Sequence, residues 1–307
     1  MRMIEKLKVW INMYGFCNVI RKVLYQKLPF NIVYNNSLLR RMNWQFRVRK
    51  KIAKYVTITD MSVENNVSDS KIMWWLWFQG SENAPEIVRK CYSSAKSVAQ
   101  KMEFEFIELN NDNIFNYVNL PEKIKVMWKN KKISNANFSD LCRISLLADY
   151  GGLWIDSTVY LSDVIDEEIL DSDIFFFQAS FLDLSVTKMS NWFMYSKRRK
   201  NCFFCSMRDT LVNYWSHNSV IPDYFIFHLF ASLIMEKNQF KKLIANMPYM
   251  SNTYPSLLER ELREKYDEVK IKYILKKSRI HKLTYKNLEC CECDTLYYRF
   301  IERDKKI

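Results

Sequence analysis

Glycine and proline are scarce in this chain of 307 residues, which contains 4 Gly and 6 Pro. The scarcity excludes collagen-like and low-complexity sequences, and we expect each remaining glycine to have a backbone role. No apolar run reaches the ~18 residues of a membrane-spanning helix, and the longest candidate, residues 225–235, contains His228. The N-terminus lacks the continuous apolar stretch of a secretory signal, so we expect a cytoplasmic protein.

Glycine-rich nucleotide motifs are also missing. The sequence contains neither G-x-x-x-x-G-K-[ST] nor G-x-G-x-x-G, and it has no Gly-x-Ser-x-Gly elbow. Kinases, dinucleotide-dependent enzymes and elbow hydrolases therefore lack their simplest sequence support. Hydrophobic residues make up 49% of the chain and charged residues 26%, a composition that is typical of a globular protein.

The net charge of +13 is concentrated at the N-terminus, where residues 1–54 hold nearly all of the excess. Their only acidic residue is Glu5, and aromatic residues such as Trp10 and Trp44 alternate with the basic ones. This pattern favours amphipathic helices on an anionic membrane surface. The alternatives are a helical cap packed on the body, with a solvated basic face, and a less favoured contact with nucleic acid.

The eight cysteines include one C-x-x-C pair, Cys202 and Cys205, and a cluster formed by Cys290, Cys291 and Cys293. A structural zinc site usually shows two ligand pairs at regular spacing, so this arrangement indicates zinc only weakly. Reduced thiols are the expectation for a cytoplasmic protein.

Strand-like and helix-like segments alternate after the polar stretch 57–70. The pattern predicts strands at 71–79, 103–109, 153–156, 174–178 and 191–195, and helices at 85–101, 139–150, 203–217 and 223–236. Ser139 and Asp140 are the predicted cap of the second of these helices. Such alternation predicts an α/β fold with a mostly parallel sheet and helices on both faces. Ligands of these sheets bind at the carboxyl ends of the strands, which places Gln79 and Asp156 on one rim.

The segment from Ser139 to Thr158 carries the richest chemistry. Asp140 and Arg143 share one face of the predicted helix, and the Gly pair at 151–152 leads into a strand that ends at Asp156. An arginine with two carboxylates can hold sugar hydroxyls, and a carboxylate on the rim can hold a divalent cation that bridges two phosphates. The alternative is an ordinary surface ion pair beside an aspartate at a strand end.

The pattern SD-x-x-R-x-x-x-L-x-x-YGG-x-W-x-D resembles the signature of retaining glycosyltransferases of the GT-A type with an Asp-x-Asp motif. More closely, residues 71–286 resemble the bacterial capsular polysaccharide synthesis protein family. The matching segments are WFQG with APEIV (77–88), SDLCRISLLADYGGLWIDSTV (139–159), SNWF (190–193), DYFIFH (223–228), MPYMSN (247–252) and IHKLTYK (280–286).

The charge distribution, the polar stretch at 57–70 and the resemblance together predict three parts of the chain. Residues 1–66 are expected to form a basic amphipathic helical segment with a linker. Residues 67–287 are expected to form a GT-A domain, with a Rossmann-like sheet. Residues 288–307 are expected to be a tail packed on that domain.

For donor binding, the resemblance implies that Trp77 stacks on uracil and that Asp140 and Arg143 hold the donor sugar. Gln79, on the same rim, belongs to the predicted donor site, and Ser157 is expected near the sugar. Trp77 could instead be a core residue.

For the diphosphate, the resemblance implies that Asp156 and His281 bind Mn²⁺ or Mg²⁺, and that Lys282 and Lys286 meet the phosphates. Thr158 stands where Asp-x-Asp enzymes have their second aspartate. It is predicted to donate to a phosphate or to a metal-bound water. A surface loop of a basic protein is the alternative for residues 281–286.

For the reacting carbon, the resemblance implies that Asp223 approaches the anomeric centre and that Asn191 touches the donor. Asp223 could instead be a residue that begins a helix. His228 lies in an aromatic stretch and is interpreted as a core histidine with its hydrogen bonds satisfied.

Together these expectations describe a retaining, α-forming glycosyltransferase. It would move a hexose from UDP-glucose or UDP-galactose to a lipid-diphosphate-linked sugar during capsule or surface polysaccharide synthesis. Residues 1–54 would hold it at the inner face of the membrane, with no nucleic-acid partner. The alternatives are a protein-modifying glycosyltransferase and a non-catalytic, membrane-associated scaffold of the same fold.

Overall fold

The computed structural model of the protein describes residues 3–20, 34–60, 68–179, 186–288 and 294–302. Its central sheet has five strands in the order β2-β1-β3-β6-β5. A separate pair of short strands, β4 and β7, lies outside this sheet. The strands are β1 (Ile72–Leu76), β2 (Glu105–Leu109), β3 (Gly152–Asp156), β4 (Val159–Leu161), β5 (Ile174–Gln178), β6 (Met189–Ser196) and β7 (Ile280–Lys282).

The sheet is mostly parallel, as the sequence predicted. Strand β1 pairs in parallel with both β2 and β3, whereas β6 runs antiparallel to β3 and to β5. Within this sheet β6 is the strand that runs opposite to the other four, because β5 again runs in the same direction as β3. The α/β class is confirmed, and the five predicted strands are all present, with β6 longer than expected.

The helices connect these strands and extend the fold at both ends. They are α1 (Met3–Tyr14), α2 (Tyr34–Ile52), α3 (Glu86–Lys101), α4 (Ile114–Tyr117), α5 (Glu122–Lys129), α6 (Asn135–Asp149), α7 (Glu167–Asp171), α8 (Cys202–His217), α9 (Ile226–Met235), α10 (Asn238–Asn246), α11 (Leu257–Glu261), α12 (Glu268–Lys277) and α13 (Leu296–Glu302). Within the described ranges, no helix has both the length and the apolar composition to cross a membrane.

Two adjacent tryptophans on β1 show that both faces of the sheet are covered. Successive side chains of a strand point to opposite faces. Trp74 is buried in the larger apolar cluster, and its indole Nε1 donates to the Gly151 carbonyl oxygen at 2.9 Å. Trp75 is buried in a second cluster, and its ring lies 4.9 Å from that of Tyr92 on α3.

The turn between α6 and β3 aims Asp156 at the rim of the sheet. Helix α6 begins earlier than predicted, because Ser134, not Ser139, caps it: its Oγ accepts from the backbone N–H of Asn137 at 3.3 Å. Gly152 then adopts a φ of +87°, and a Cβ there would lie 2.3 Å from the Ile72 carbonyl oxygen. Only glycine fits this position, where β3 runs against β1.

The N-terminal helices pack on the body. On α2, Val48 and Ile52 are fully buried, and Arg49 forms an ion pair with Glu236 at the end of α9. On α1, the Trp10 indole donates to the Ile221 carbonyl oxygen at 3.0 Å. These contacts are those of a helical cap.

The segment after α2 and the C-terminal segment also contact the body. The backbone N–H of Thr57 donates to Thr210 Oγ1 on α8 at 2.9 Å. Leu288 and Leu296 are buried in the cluster that holds Trp75. The predicted domain boundary at 66–67 falls on residues outside the described ranges, as do Cys290, Cys291 and Cys293.

Candidate active site

One cavity of about 1130 Å³ lies at the carboxyl ends of β1 and β3. Side chains that follow or end these strands line it, together with residues from β6, β7 and the helices α2, α6 and α9. Most of the predicted site residues are in its wall: Trp77, Gln79, Asp140, Arg143, Asp156, Ser157, Thr158, Asn191, Lys282 and Lys286. Asp223 and His281 are not in its wall.

Arg143 connects three parts of the cavity. Its Nη1 donates to the Asn191 carbonyl oxygen at 2.6 Å and lies 3.2 Å from Asp156 Oδ1. Its Nε lies 3.5 Å from Asp140 Oδ1, and its guanidinium lies over the Trp154 ring at 5.0 Å. The arginine is buried and its planar group is fully engaged, so it holds both carboxylates in a fixed arrangement.

Asp140 is a buried carboxylate beside Asn191. The Asn191 side-chain Nδ2 donates to Asp140 Oδ1 at 2.7 Å. Burial raises the pKa of Asp140 to about 6, with Arg143 opposing the shift and the charge of Asp156 adding to it. Asp140 therefore changes its charge close to neutral pH.

Asp156 is held by cationic groups on both oxygens. Oδ1 faces Arg143 and accepts from the Trp154 indole at 3.1 Å, and Oδ2 accepts from Lys282 Nζ at 2.9 Å. Burial alone would raise the pKa of Asp156, but Arg143 and Lys282 outweigh it and lower the pKa below its usual value. Asp156 is thus a carboxylate throughout the physiological range.

Lys282 reaches Asp156 because β7 pairs with β4. Val159 lies opposite Lys282 in this pair, and the backbone N–H of Leu283 donates to the Thr158 carbonyl oxygen at 2.8 Å. The Lys282 ammonium group also donates to Thr158 Oγ1 at 2.5 Å. The threonine that replaces a second aspartate is therefore a hydrogen-bond partner of the lysine.

His281 is oriented away from the cavity, so the structure does not support its predicted place beside Asp156. Consecutive side chains of a strand point to opposite faces, and Lys282 takes the face toward Asp156. His281 is fully buried, with its Nε2 3.3 Å from Ser162 Oγ and its ring near that of Tyr160. Burial lowers its pKa to about 4.

The residues at the end of β3 do not fit the predicted Mn²⁺ or Mg²⁺ ion. Asp156 is the one predicted metal ligand in the cavity wall, and its oxygens already accept from Arg143 and Lys282. Two cations beside the carboxylate repel a third, and such ions prefer several oxygen ligands. Across the described ranges, no group of three or more His, Cys, Asp or Glu side chains is arranged to hold a metal.

Asp223 is placed outside the cavity wall, in contrast to its predicted approach to the anomeric centre. Its Oδ1 accepts from the backbone N–H of Phe225 at 2.9 Å. Helix α9 begins at Ile226, so Asp223 orders the turn before the helix instead of opening it. The structure therefore gives Asp223 a local structural contact.

His228 was misread as a satisfied core histidine. It lines the cavity, and its Nδ1 atom is buried without a hydrogen-bond partner. Burial, with a smaller effect of the Arg143 charge, lowers the pKa of His228 to about 4, and Asp156 opposes the shift. His228 is thus a neutral imidazole in the cavity wall, with a buried Nδ1 atom that lacks a hydrogen-bond partner.

Three further residues of the cavity wall were given no role by the sequence analysis, although two of them, Tyr224 and Tyr285, lie in segments that match the family. Tyr285 packs edge-to-face on Trp77, with ring centroids 5.5 Å apart and planes at 88°. Tyr224 and Arg41 also line the cavity. Arg41 was one basic residue among many in the N-terminal segment, and only the folded chain brings it to this wall.

The fold and the cavity define an α/β protein with paired carboxylates and cations at the carboxyl ends of its strands, the place where sheets of this kind bind their ligands. A comparison with protein families matches residues 24–300 to the capsular polysaccharide synthesis protein family, and the chain belongs to it. Membership indicates a glycosyltransferase role in capsule synthesis. A comparison with curated proteins found no match.

Proposed function

We propose that this protein is a retaining glycosyltransferase of the GT-A fold. It moves a hexose from UDP-glucose or UDP-galactose to a lipid-diphosphate-linked sugar, with an α-linkage in the product. The proposal extends the family's role in capsule synthesis to a specific reaction, donor and acceptor.

The observation that carries the proposal is the network around Arg143. One buried guanidinium joins Asp140, Asn191 and Asp156, and Lys282 closes the network from the opposite end of the chain. A purely structural ion pair would not need several polar groups facing a large cavity. Carboxylates that face such a space are suited to sugar hydroxyls, and the ammonium group is suited to phosphate.

The donor is placed by the side chains of the wall. Trp77 and its partner Tyr285 offer an aromatic surface to the uracil ring. Lys282 and the exposed Lys286 meet the diphosphate oxygens. Asp140 accepts hydrogen bonds from the hexose hydroxyls, and Asn191 donates hydrogen bonds to them. Ser157 and Gln79 lie in the same wall.

The reaction exchanges one bond at the anomeric carbon for another. The bond from the anomeric carbon to the UDP phosphate oxygen breaks, and its electron pair leaves with the diphosphate. Lys282 stabilises the negative charge that develops there. The acceptor oxygen bonds to the same face of that carbon, and its proton passes to the departing phosphate oxygen. No separate general base is needed, and Asp223 has no part in this scheme.

We further propose that the protein acts at the inner face of the membrane, where the lipid-linked acceptor is found. Helix α2 leaves Lys50 and Lys51 exposed, and Phe16 and Phe46 are exposed in the same segment. A packed cap with a basic, partly aromatic outer surface is suited to anionic headgroups.

Slow hydrolysis of the donor tests the proposal. The purified protein is given UDP-, GDP- and dTDP-sugars, and the released sugar is followed by NMR. We expect release from one UDP-hexose, with the α-anomer formed first. The Asp156→Asn variant should lower the rate by about 100-fold, because it removes the charge that fixes Arg143 and Lys282.

The matched control is Asp163→Asn, because Asp163 is an aspartate outside the cavity wall. This variant should hydrolyse the donor at the wild-type rate. Absence of both UDP binding and hydrolysis in the wild-type protein would favour the non-catalytic scaffold. Release of the β-anomer first would contradict retention.

A further inference from the structure

The N-terminal helix α2 supplies part of the cavity wall. Its inner face is a stripe of residues at helical spacing: Arg41, Gln45, Val48 and Ile52. Gln45, Val48 and Ile52 are buried against the body, and Arg41 continues the same stripe to the edge of the cavity. Arg41 is exposed, but it lies at the end of this stripe, where the helix meets the cavity, whereas Lys50 and Lys51 lie outside the cavity wall.

The Arg41 guanidinium is available to a ligand. Among the described residues it has no hydrogen-bond or ion-pair partner, whereas Arg47 donates to Asn18 at 2.6 Å and Arg49 is paired with Glu236. The planar guanidinium matches the oxygens of a phosphate group through parallel hydrogen bonds. The ion pair of Arg49 and the buried stripe hold α2 on α9, so Arg41 is presented from a fixed helix.

The neighbouring wall offers contacts for a sugar. Tyr224 lines the cavity although its side chain is 69% exposed, which leaves a ring face open to an apolar sugar surface. His228 lies in the first turn of α9, four residues after Tyr224, and its buried Nδ1 atom has no hydrogen-bond partner. The ring centroids of Tyr224 and Phe225 lie 5.2 Å apart, and those of Phe225 and His228 lie 5.4 Å apart. The three rings therefore pack in one series.

We propose that Arg41, Tyr224 and His228 form an acceptor subsite for a sugar carried on a phosphate or diphosphate ester. Arg41 binds the phosphate, Tyr224 covers the sugar and His228 hydrogen-bonds a hydroxyl group. This inference rests on the proposed function and deepens it. The basic N-terminal segment is then a wall of the active site as well as a membrane-facing surface.

A binding measurement tests the role of Arg41 without any turnover. Farnesyl diphosphate serves as the probe, in calorimetric titrations of the full chain with and without saturating UDP. We expect Arg41→Ala to weaken binding by about 30-fold, the value of a charge-assisted hydrogen bond. Lys50→Ala, which removes an exposed cation from the outer face of the same helix, should bind as the wild type does.

A transfer measurement separates the acceptor from the donor. The acceptor sugar is supplied on a short prenyl diphosphate or as an alkyl glycoside. Arg41→Ala should lower kcat/KM for the diphosphate-linked acceptor at least about tenfold more than it lowers kcat/KM for the alkyl glycoside or the rate of donor hydrolysis. Tyr224→Ala should lower transfer to both acceptors, whereas Tyr249→Ala, an exposed tyrosine outside the wall, should lower neither.

Three results would overturn the inference. Equal affinity of Arg41→Ala and the wild type for farnesyl diphosphate would exclude a phosphate contact. Equal losses of farnesyl diphosphate affinity in Arg41→Ala and Lys50→Ala, together with equal losses of binding to phosphatidylglycerol vesicles, would show a general attraction to anionic headgroups. A matching loss of donor hydrolysis in Arg41→Ala would place the residue in the donor site. If the wild type does not hydrolyse the donor, the proposed function is rejected. The comparison of farnesyl diphosphate affinity between Arg41→Ala and the wild type can still be interpreted.

Discussion

Lys282 Nζ lies 2.9 Å from Asp156 Oδ2, although 126 residues separate the two in the chain. The contact joins the short β4–β7 pair to the end of the central sheet. It gives the cavity a cation beside the one predicted metal ligand in its wall. The charge balance at the end of β3 is therefore set by side chains from two distant segments.

Loss of the Lys282 charge should weaken donor binding. In Lys282→Gln, the amide keeps a hydrogen bond to Asp156 but no longer attracts the diphosphate, so we expect the affinity for UDP to fall by about 30-fold. Calorimetric titration with UDP measures the effect. Lys241→Gln, an exposed lysine of α10 outside the cavity, is the control. Unchanged UDP affinity in Lys282→Gln would remove Lys282 from the donor site.

Removal of divalent cations should leave donor hydrolysis unchanged. Arg143 and Lys282 occupy both oxygens of Asp156, and His281 is oriented away from the cavity, so the described residues of the cavity leave no ligand set for a metal. Hydrolysis is measured with EDTA and then with added Mn²⁺. A loss with EDTA that Mn²⁺ restores would contradict this prediction and re-establish the metal that the sequence predicted.

Donor turnover should depend on the ionisation of Asp140. Its pKa is about 6 in the fold, so the carboxylate is charged above this pH and loses its attraction for Arg143 below it. We expect kcat/KM for the donor to fall as the pH drops through about 6. The Asp140→Asn variant should lose this inflection. An inflection that persists in the variant would assign the titration to another group.

The raised pKa of Asp140 also determines how the free energy of unfolding changes with pH. The folded pKa of Asp140 lies above its ordinary value of 3.8, so the folded chain holds this proton more tightly than the unfolded chain does. The contribution of Asp140 to the free energy of unfolding therefore falls as the pH rises from about 4 to about 6. Urea titrations of wild type and Asp140→Asn across this range measure it.

Neutralising Asp223 should have little effect on catalysis. Its carboxylate accepts a hydrogen bond from the Phe225 backbone, which the amide oxygen of Asn can also accept. We expect Asp223→Asn to keep its donor hydrolysis rate within about twofold of the wild-type rate. A loss comparable to that of Asp156→Asn would restore the catalytic role predicted from the sequence.

Gly152→Ala should destabilise the fold by about 3 kcal/mol. The new methyl group would lie 2.3 Å from the Ile72 carbonyl oxygen, at a residue with φ of +87°. Gly15 also has a positive φ but nothing within 4 Å of a Cβ, so Gly15→Ala should cost only about 1 kcal/mol. Equal midpoints of urea unfolding for Gly152→Ala and Gly15→Ala would show that a backbone shift relieves the clash at residue 152.

The alternating pattern was enough to predict the sheet, because buried strands and amphipathic helices leave clear periodicities. It did not predict β4 and β7, which have three residues each and are formed only by pairing across more than a hundred residues. The start of α6 was misplaced because Ser139 and Asp140 look like capping residues. Ser134 makes the capping contact, and Ser139 instead accepts from Arg143 at 3.0 Å.

The candidate site also has one part that the sequence predicts and another that depends on tertiary contacts. Asp140, Arg143 and Asp156 are close in the sequence, and a helix, a glycine turn and a strand of known geometry carry them to one rim. For that reason the sequence by itself determined the α/β class and this part of the cavity. The direction of His281, the position of Asp223 outside the cavity wall and the positions of Arg41 and His228 in the wall depend on strand pairing and helix packing. Only the tertiary structure decided them, because contacts between distant segments leave no periodic trace in the chain.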